Sequence, residues 1–138
     1  MDVISRDQLK KLFQDVKYFR IDEQFDHVDF SKIHYYSFFD QTDFVFYTVY
    51  NFEEELIGIK WNCSRPASKP LSLGLCDICK KHRERDGIIS IYTKTRHIPK
   101  HIAYRSRGFQ ICFDYLKCNE DLKNMERLHF IYSAILNP

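Results

Sequence analysis

The hydrophobic and polar positions change period along the chain, and each change predicts a different element. Leu9, Leu12, Phe13 and Val16 recur at i, i+3, i+4 and i+7, the apolar stripe of a short amphipathic helix expected to dock on a sheet. Ser5-Arg-Asp-Gln8 has the form of a capping box, in which two side chains satisfy free helix amides. The acidic stretch Asp22-Glu-Gln-Phe-Asp-His-Val-Asp29 shows no metal-loop spacing, so its carboxylates are expected in solvent. Two runs rich in aromatic and β-branched residues follow, Ile33 to Asp40 and Phe44 to Tyr50, parted by the polar Asp40-Gln-Thr-Asp43. They predict a hairpin, with a turn at Asn51 to Glu55 and a third strand at Leu56 to Trp61. Arg65-Pro-Ala-Ser-Lys-Pro70 is a proline-punctuated connector. Beyond it, Ile88 to Lys94 and Gly108 to Ile111 predict strands. Leu122, Met125, Leu128, Ile131, Tyr132 and Ile135 then predict a core-facing stripe on a helix from Glu120 to Leu136, with Asp121 near its start suiting the helix dipole.

Composition narrows the class. A chain of 138 residues with 44% hydrophobic content is expected to form one domain with a sizeable core. Within it, residues 1–30 form the N-terminal helix and acidic connector, 31–70 an aromatic meander, and 71–138 a cysteine-bearing part with the final helix. No apolar run approaches the ~18 residues of a membrane span. Twelve Phe and nine Tyr raise the possibility of a base-stacking platform. The charge around them is acidic and no glycine-aromatic consensus is present, so core packing is expected. The net charge of +2 conceals a split: residues 1–59 carry 6 Lys+Arg against 12 Asp+Glu, residues 60–138 carry 15 against 7. That split predicts a polar molecule whose basic end faces an acidic partner; the alternative is attraction between the halves. Four glycines leave hardly any scope for a phosphate-binding loop, and no nucleophile–base constellation can be assembled, so an enzyme is not expected. A monomer is.

The cysteines carry the chemistry. Cys76-Asp-Ile-Cys79 and Cys112-Phe-Asp-Tyr-Leu-Lys-Cys118 give C-x2-C, 32 residues, then C-x5-C. A tight C-x2-C turn after Gly74 converges two thiolates on one point, as tetrahedral zinc requires. The second pair fits a strand end and a helix entry. Knuckle, hairpin, two ligands and helix is the order of a treble-clef zinc finger. The fold class is therefore α+β, an antiparallel sheet with flanking helices and a four-cysteine finger. Disulfides would need an oxidising compartment, whereas Met1 to Lys10 is polar and shows no signal segment, which points to the cytoplasm. A redox C-x-x-C would open a helix in a βαβ unit, a pattern not present here. Four thiolates leave no open position for catalysis, so Zn2+ is expected to be structural. His82 is the one substitute ligand worth weighing, and it reads better as solvated. Cys63, outside both pairs, reads as a half-buried free thiol.

With these motifs in place the chain resembles the FusB-type family, elongation factor G-binding proteins that confer fusidic acid resistance. The resemblance is carried by Leu56-Ile-Gly-Ile-Lys-Trp61, Gly74-Leu-Cys-Asp-Ile-Cys-Lys-Lys81, Arg107-Gly-Phe-Gln-Ile-Cys112 and Cys118-Asn-Glu-Asp-Leu122, and covers about Tyr35 to Pro138. It implies zinc at Cys76, Cys79, Cys112 and Cys118, elongation factor G as partner, and release of that factor from the ribosome as effect. Family members carry a helical bundle ahead of this domain; only about 30 residues stand there in this sequence. Lys94, Arg96, Lys100, Arg105 and Arg107, interleaved with His97, His101 and Tyr104, form the densest basic-aromatic stretch. The resemblance places partner contacts near it, at Lys100, Tyr104, Arg105 and Arg107, with Phe130 as an aromatic companion. RNA or ribosome binding through the same stretch is the alternative.

Overall fold

The computed structural model describes residues 1–64, 74–84, 87–94 and 106–136. Strands β1 (Tyr35–Asp40), β2 (Val45–Phe52), β3 (Glu55–Ser64), β6 (Ile88–Lys94) and β7 (Ser106–Cys112) form one antiparallel sheet in that order. Between β3 and β6 the chain makes a separate two-stranded ribbon, β4 (Gly74–Leu75) with β5 (His82–Arg83). The sheet has a seam. β1 and β2 pair along their whole lengths and β3 meets β2 from Glu55 to Asn62, whereas β3 meets β6 only through Asn62, Cys63 and Ser64.

Both faces of the meander β1–β3 are covered, which is why its strands are aromatic throughout rather than alternating with polar residues. One face presents Tyr36, Phe38, Val45, Tyr47 and Val49 to Ile4, Leu9, Phe13, Phe25, Phe30 and Ile33 from the N-terminal segment. The other presents Tyr35, Phe46, Tyr50, Ile57, Ile59 and Trp61 to Ile78, Ile89, Ile91, Ile111, Leu128, Ile131 and the cysteines. Tyr35, Tyr36, Phe46, Tyr47 and Tyr50 are fully buried, so these rings are core and are not offered to a nucleobase. The Trp61 indole N–H donates to Thr48 Oγ1 at 3.1 Å, giving its polar edge a partner.

Helix α1 (Arg6–Leu12) docks on the sheet as its stripe predicts but ends sooner: Phe13 is its C-cap and Val16 lies in the turn beyond. The capping box is present: Ser5 N donates to Gln8 Oε1 at 2.8 Å and Gln8 N to Ser5 Oγ at 3.1 Å. Gly58 makes the close approach possible, since a Cβ there would lie 2.6 Å from Leu12 and 2.8 Å from Phe13. The carboxylates of the acidic connector are mostly in solvent, as the sequence suggests, with Glu23, Asp26 and Asp29 exposed and Asp22 half-buried, but the segment is not a loose strip. It folds into two short 3-10 turns, Phe25–His27 and Phe30–Lys32, that bury Phe25 and Phe30. Asp22 accepts from the Tyr36 hydroxyl at 3.2 Å, Asp26 pairs with Arg6 at 2.6 Å, and Asp29 caps the second turn through Ser31 N.

The C-terminal region also departs from expectation. In place of one helix from Glu120 there are two, α2 (Tyr115–Glu120) and α3 (Glu126–Leu136). Asp114 starts α2 by accepting from Leu116 N at 3.0 Å, and Asn124 accepts from Glu126 N at 3.1 Å ahead of α3. Asp121 is therefore the C-cap of α2, not a dipole partner at a helix start, and its carboxylate takes Arg83 at 2.5 Å. Among the described residues each ion pair lies within one half of the chain, so such pairs do not bridge the charge split. No helix among them is long and apolar enough to cross a membrane.

Candidate metal centre

The first ligand pair is shaped by the turn between β4 and β5. Lys80 N donates to Cys76 O at 2.9 Å and Cys76 N to Lys81 O at 3.0 Å, closing the knuckle. Closure forces Lys80 to φ 62°, a left-handed conformation that a side chain resists. Gly74 lets β4 cross β6, since a Cβ there would stand 2.9 Å from Ile88 Cγ1. Asp77 anchors the turn: its N–H donates to Gln110 O at 2.7 Å and its carboxylate accepts from Gln110 N at 2.8 Å. Arg127 Nε of α3 donates to Asp77 O at 3.0 Å. The knuckle is thus tied to both β7 and the final helix.

The second pair arrives as the spacing predicts. Cys112 is the last residue of β7, opposite Ile88, and Cys118 lies in α2. The four sulfurs all lie within 4.8 Å of one another, and all four residues are buried. Cys76 Sγ is 3.7 Å from Cys118 Sγ, and Cys79 Sγ is 3.8 Å from Cys112 Sγ. A tetrahedron with Zn–S bonds of about 2.3 Å has edges of about 3.8 Å, so the cluster fits zinc. A disulfide would bring two sulfurs to about 2.05 Å; all five cysteines are free.

The electrostatics favour a cation. Hydrogen bonds from the Cys112 and Cys118 sulfurs, together with the Cys79 and Ile78 amides, pull the Cys76 thiol well below its usual range. Cys118 is pushed far up by its bonds to Cys112 and Cys76 and by burial. Without a counter-ion the sulfurs cannot all ionise side by side; a coordinated divalent metal deprotonates thiols outright. One positive group already faces them. Arg83 Nη2 lies 3.7 Å from Cys79 Sγ while also reaching Lys117 O and Asp121. Facing Cys112, Asp121 and Cys79 holds its guanidinium above the usual arginine range.

His82 sits on β5 opposite Leu75, exposed, and is not in the sulfur cluster. Cys63 is buried rather than half-buried, opposite Ile91, and burial raises its thiol to about 11. It stands apart from the four. Of the expected partner residues, Lys100, Tyr104 and Arg105 lie outside the described residues, as does the connector 65–70. Arg107 belongs to β7, opposite Thr93. Phe130 is 62% exposed on α3, and the Arg127 guanidinium carbon lies 5.5 Å from its ring centre. Sequence reasoning missed Asn119 as an anchor. Its Oδ1 accepts from His34 N at 2.6 Å and Tyr35 N at 3.2 Å, and its Nδ2 donates to Tyr35 O at 3.0 Å and Tyr115 O at 2.7 Å. The Asn after Cys118 was visible as part of a motif, but nothing local says that it grips a strand 84 residues away.

Comparison with known proteins agrees with this geometry. No curated protein matches the chain. Among solved structures, that of the fusidic acid resistance protein FusC aligns with a TM-score of 0.78 and 26% identity, covering 98% of this chain and 60% of that one. The chain thus spans well under two thirds of that protein's length. A family profile described as the FBP C-terminal treble-clef zinc-finger matches residues 10–133. That range takes in the acidic connector and the end of α1, so the likeness reaches further towards the N-terminus than the motifs from Tyr35 onward suggest. The chain belongs to the FBP C-terminal treble-clef zinc-finger family, the FusB-type group that its motifs resemble.

Proposed function

We propose that this chain is a zinc-stabilised binding protein, not an enzyme, that engages elongation factor G and promotes its release from the ribosome. The observation that carries the reading is the likeness to a fusidic acid resistance protein over 98% of the chain. Cys76, Cys79, Cys112 and Cys118 would hold the zinc, which supplies a structural cross-link between knuckle, β7 and α2. Four thiolates fill a tetrahedral ion, so the metal has no position left for substrate. Action would come from differential affinity: a protein that binds one conformation of the factor more tightly draws its population towards that state. Such a role belongs to the cytoplasm and needs no oligomer.

The contact surface under this reading is the basic stretch Lys94 to Gly108, with Lys100, Tyr104, Arg105 and Arg107, and the exposed ring of Phe130. Arginine offers forked, charge-assisted bonds to an acidic face, and tyrosine adds area at low entropy cost. RNA binding, the other reading, loses the meander rings as a stacking platform and would rest on charge alone. Titration of the purified chain with elongation factor G, free and ribosome-bound, tests the proposal. Binding that weakens at least tenfold in Arg105→Glu plus Arg107→Glu, with zinc content unchanged, is the expected result. No binding to either form by a zinc-replete protein would overturn it, and capture of RNA with a steep salt dependence would favour the alternative.

A further inference from the structure

Four thiolates outweigh the charge of the Zn2+ they hold, and burial makes that excess costly unless donors meet the sulfurs. Two such bonds come from the backbone: Ile78 N and Cys79 N each donate to Cys76 Sγ at 3.4 Å. Cys79 is met differently. It is the most exposed of the four ligands, at 8% against 0–1% for the others, and its sulfur faces a side chain, with Arg83 Nη2 at 3.7 Å. Among the described residues no other cation bonds to any of these sulfurs. Arg83 also reaches beyond Cys79. The same nitrogen donates to Lys117 O at 3.4 Å and to Asp121 Oδ2 at 2.5 Å, on either side of Cys118 in the chain. The guanidinium therefore stands between the knuckle and α2, two segments that bring separate ligands, and the Asp121 carboxylate fixes its orientation.

We infer that Arg83 is a positioning residue of the metal centre: its guanidinium donates to the Cys79 thiolate, offsets part of the centre's negative charge and fixes the knuckle against α2. The inference rests on the zinc reading above and adds to the four ligands a residue that touches no metal. Carboxylate, guanidinium and thiolate form a chain leading to the ion, Asp121 orienting Arg83 and Arg83 orienting Cys79. Outer partners of this kind hold a ligand in place and tune its charge, and losing one costs roughly 10–100-fold in metal affinity. Arg127 supplies the contrast. Its Nε donates to Asp77 O at 3.0 Å, so it too ties the knuckle to a helix, but by a backbone carbonyl and not by a sulfur.

The test compares wild type, Arg83→Met, Arg83→Lys and Arg127→Met by chelator competition and, with cobalt in place of zinc, by the sulfur-to-metal charge-transfer band. Arg83→Met should bind zinc about tenfold more weakly. Its cobalt band should move to lower energy, because a thiolate without a hydrogen bond gives up its electrons more readily. Arg127→Met, which removes a tie that involves no sulfur, should leave the band in place. Arg83→Lys covers the case in which Arg83→Met does not fold. Lysine keeps a cation beside Asp121 but lacks the fork and the length to reach the sulfur as well. Its band should therefore move, while its zinc binding falls less than that of Arg83→Met. A band that stays in place in Arg83→Met or, where that variant does not fold, in Arg83→Lys would overturn this inference alone. Equal band shifts in Arg83→Met and Arg127→Met would do the same, by showing a general loosening of the knuckle. Wild type without zinc would overturn the metal reading and this inference together.

Discussion

The meander and the finger use opposite means of holding a chain in place. On one face of β1–β3 a set of rings and aliphatic side chains closes over the N-terminal segment: Phe13 meets Tyr47 edge-on at 4.9 Å, and Phe38 stacks on Tyr47 at 4.9 Å. Within the finger, the knuckle and α2 have little such material of their own. β4 and β5 are two residues each and α2 is six, too short to be stable alone. What gathers them is the sulfur cluster. Apolar burial tolerates loss of one member, because each contact is small and the rest remain. A four-ligand ion does not, because removing one ligand undoes the shared bond. The difference teaches where each half should fail.

Metal withdrawal should have the largest effect. Structural zinc sites carry about 10–16 kcal/mol of apparent binding free energy at neutral pH, and that is folding energy for the segments they join. Chelation, or Cys112→Ser, should strip hydrogen-exchange protection from 74–84 and 106–120 while β1 and β2 stay protected. Simultaneous loss everywhere would show that the two regions are one cooperative unit.

Asn119→Ala sharpens the comparison, since Asn119 ties α2 to β1. Truncation leaves two backbone donors and two carbonyls without this partner, at an expected cost of about 3 kcal/mol. A denaturant melt that shifts by less than 1 kcal/mol, a threshold set at roughly a single net hydrogen bond, would mean that packing alone joins the halves.

Cys63 should give the smallest effect. Cys63→Ser buries a hydroxyl in an apolar cluster and should cost about 1–2 kcal/mol while leaving the full zinc complement. This is more than a free thiol outside the core would cost. Its pH signature has a definite sign. The folded thiol sits at about 11 against an ordinary 9.0. Its contribution to stability is fully present below the unfolded value and is lost as pH rises through the folded one. The gap between wild type and Cys63→Ser should therefore narrow above about pH 9. A constant gap between pH 8 and 10.5, roughly the span around the unfolded value, would show that the thiol is not protected by burial.

Much of this protein was legible locally. The capping box, the stripe on α1, the three-strand meander and the two cysteine pairs are patterns within a few residues of one another, set by helix and strand periods or by ligand spacing. These parts the chain determines for itself. Even the turn at Asp40 follows a short-range rule, its carboxylate accepting from Thr42 N at 2.9 Å. The split of the last helix was also written locally, in Asp114 and Asn124 as cap residues. The apolar period running on through Leu122 and Met125 masked it.

Other features had no local signature, and only the tertiary structure decided them. That both faces of the meander are covered depends on the N-terminal segment folding back over one and on the finger and α3 closing the other. An aromatic run by itself fits a half-exposed sheet as well. The carboxylates of the acidic connector stay largely in solvent as their spacing suggests, but nothing local said that Phe25 and Phe30 take the segment down onto the sheet or that Asp26 and Asp22 find Arg6 and Tyr36. Asn119 read as one motif letter until it met β1. Residues that act across more than 80 positions of chain acquire their role from the packing that joins them, because hydrogen bonds and buried charge are set by neighbours in space.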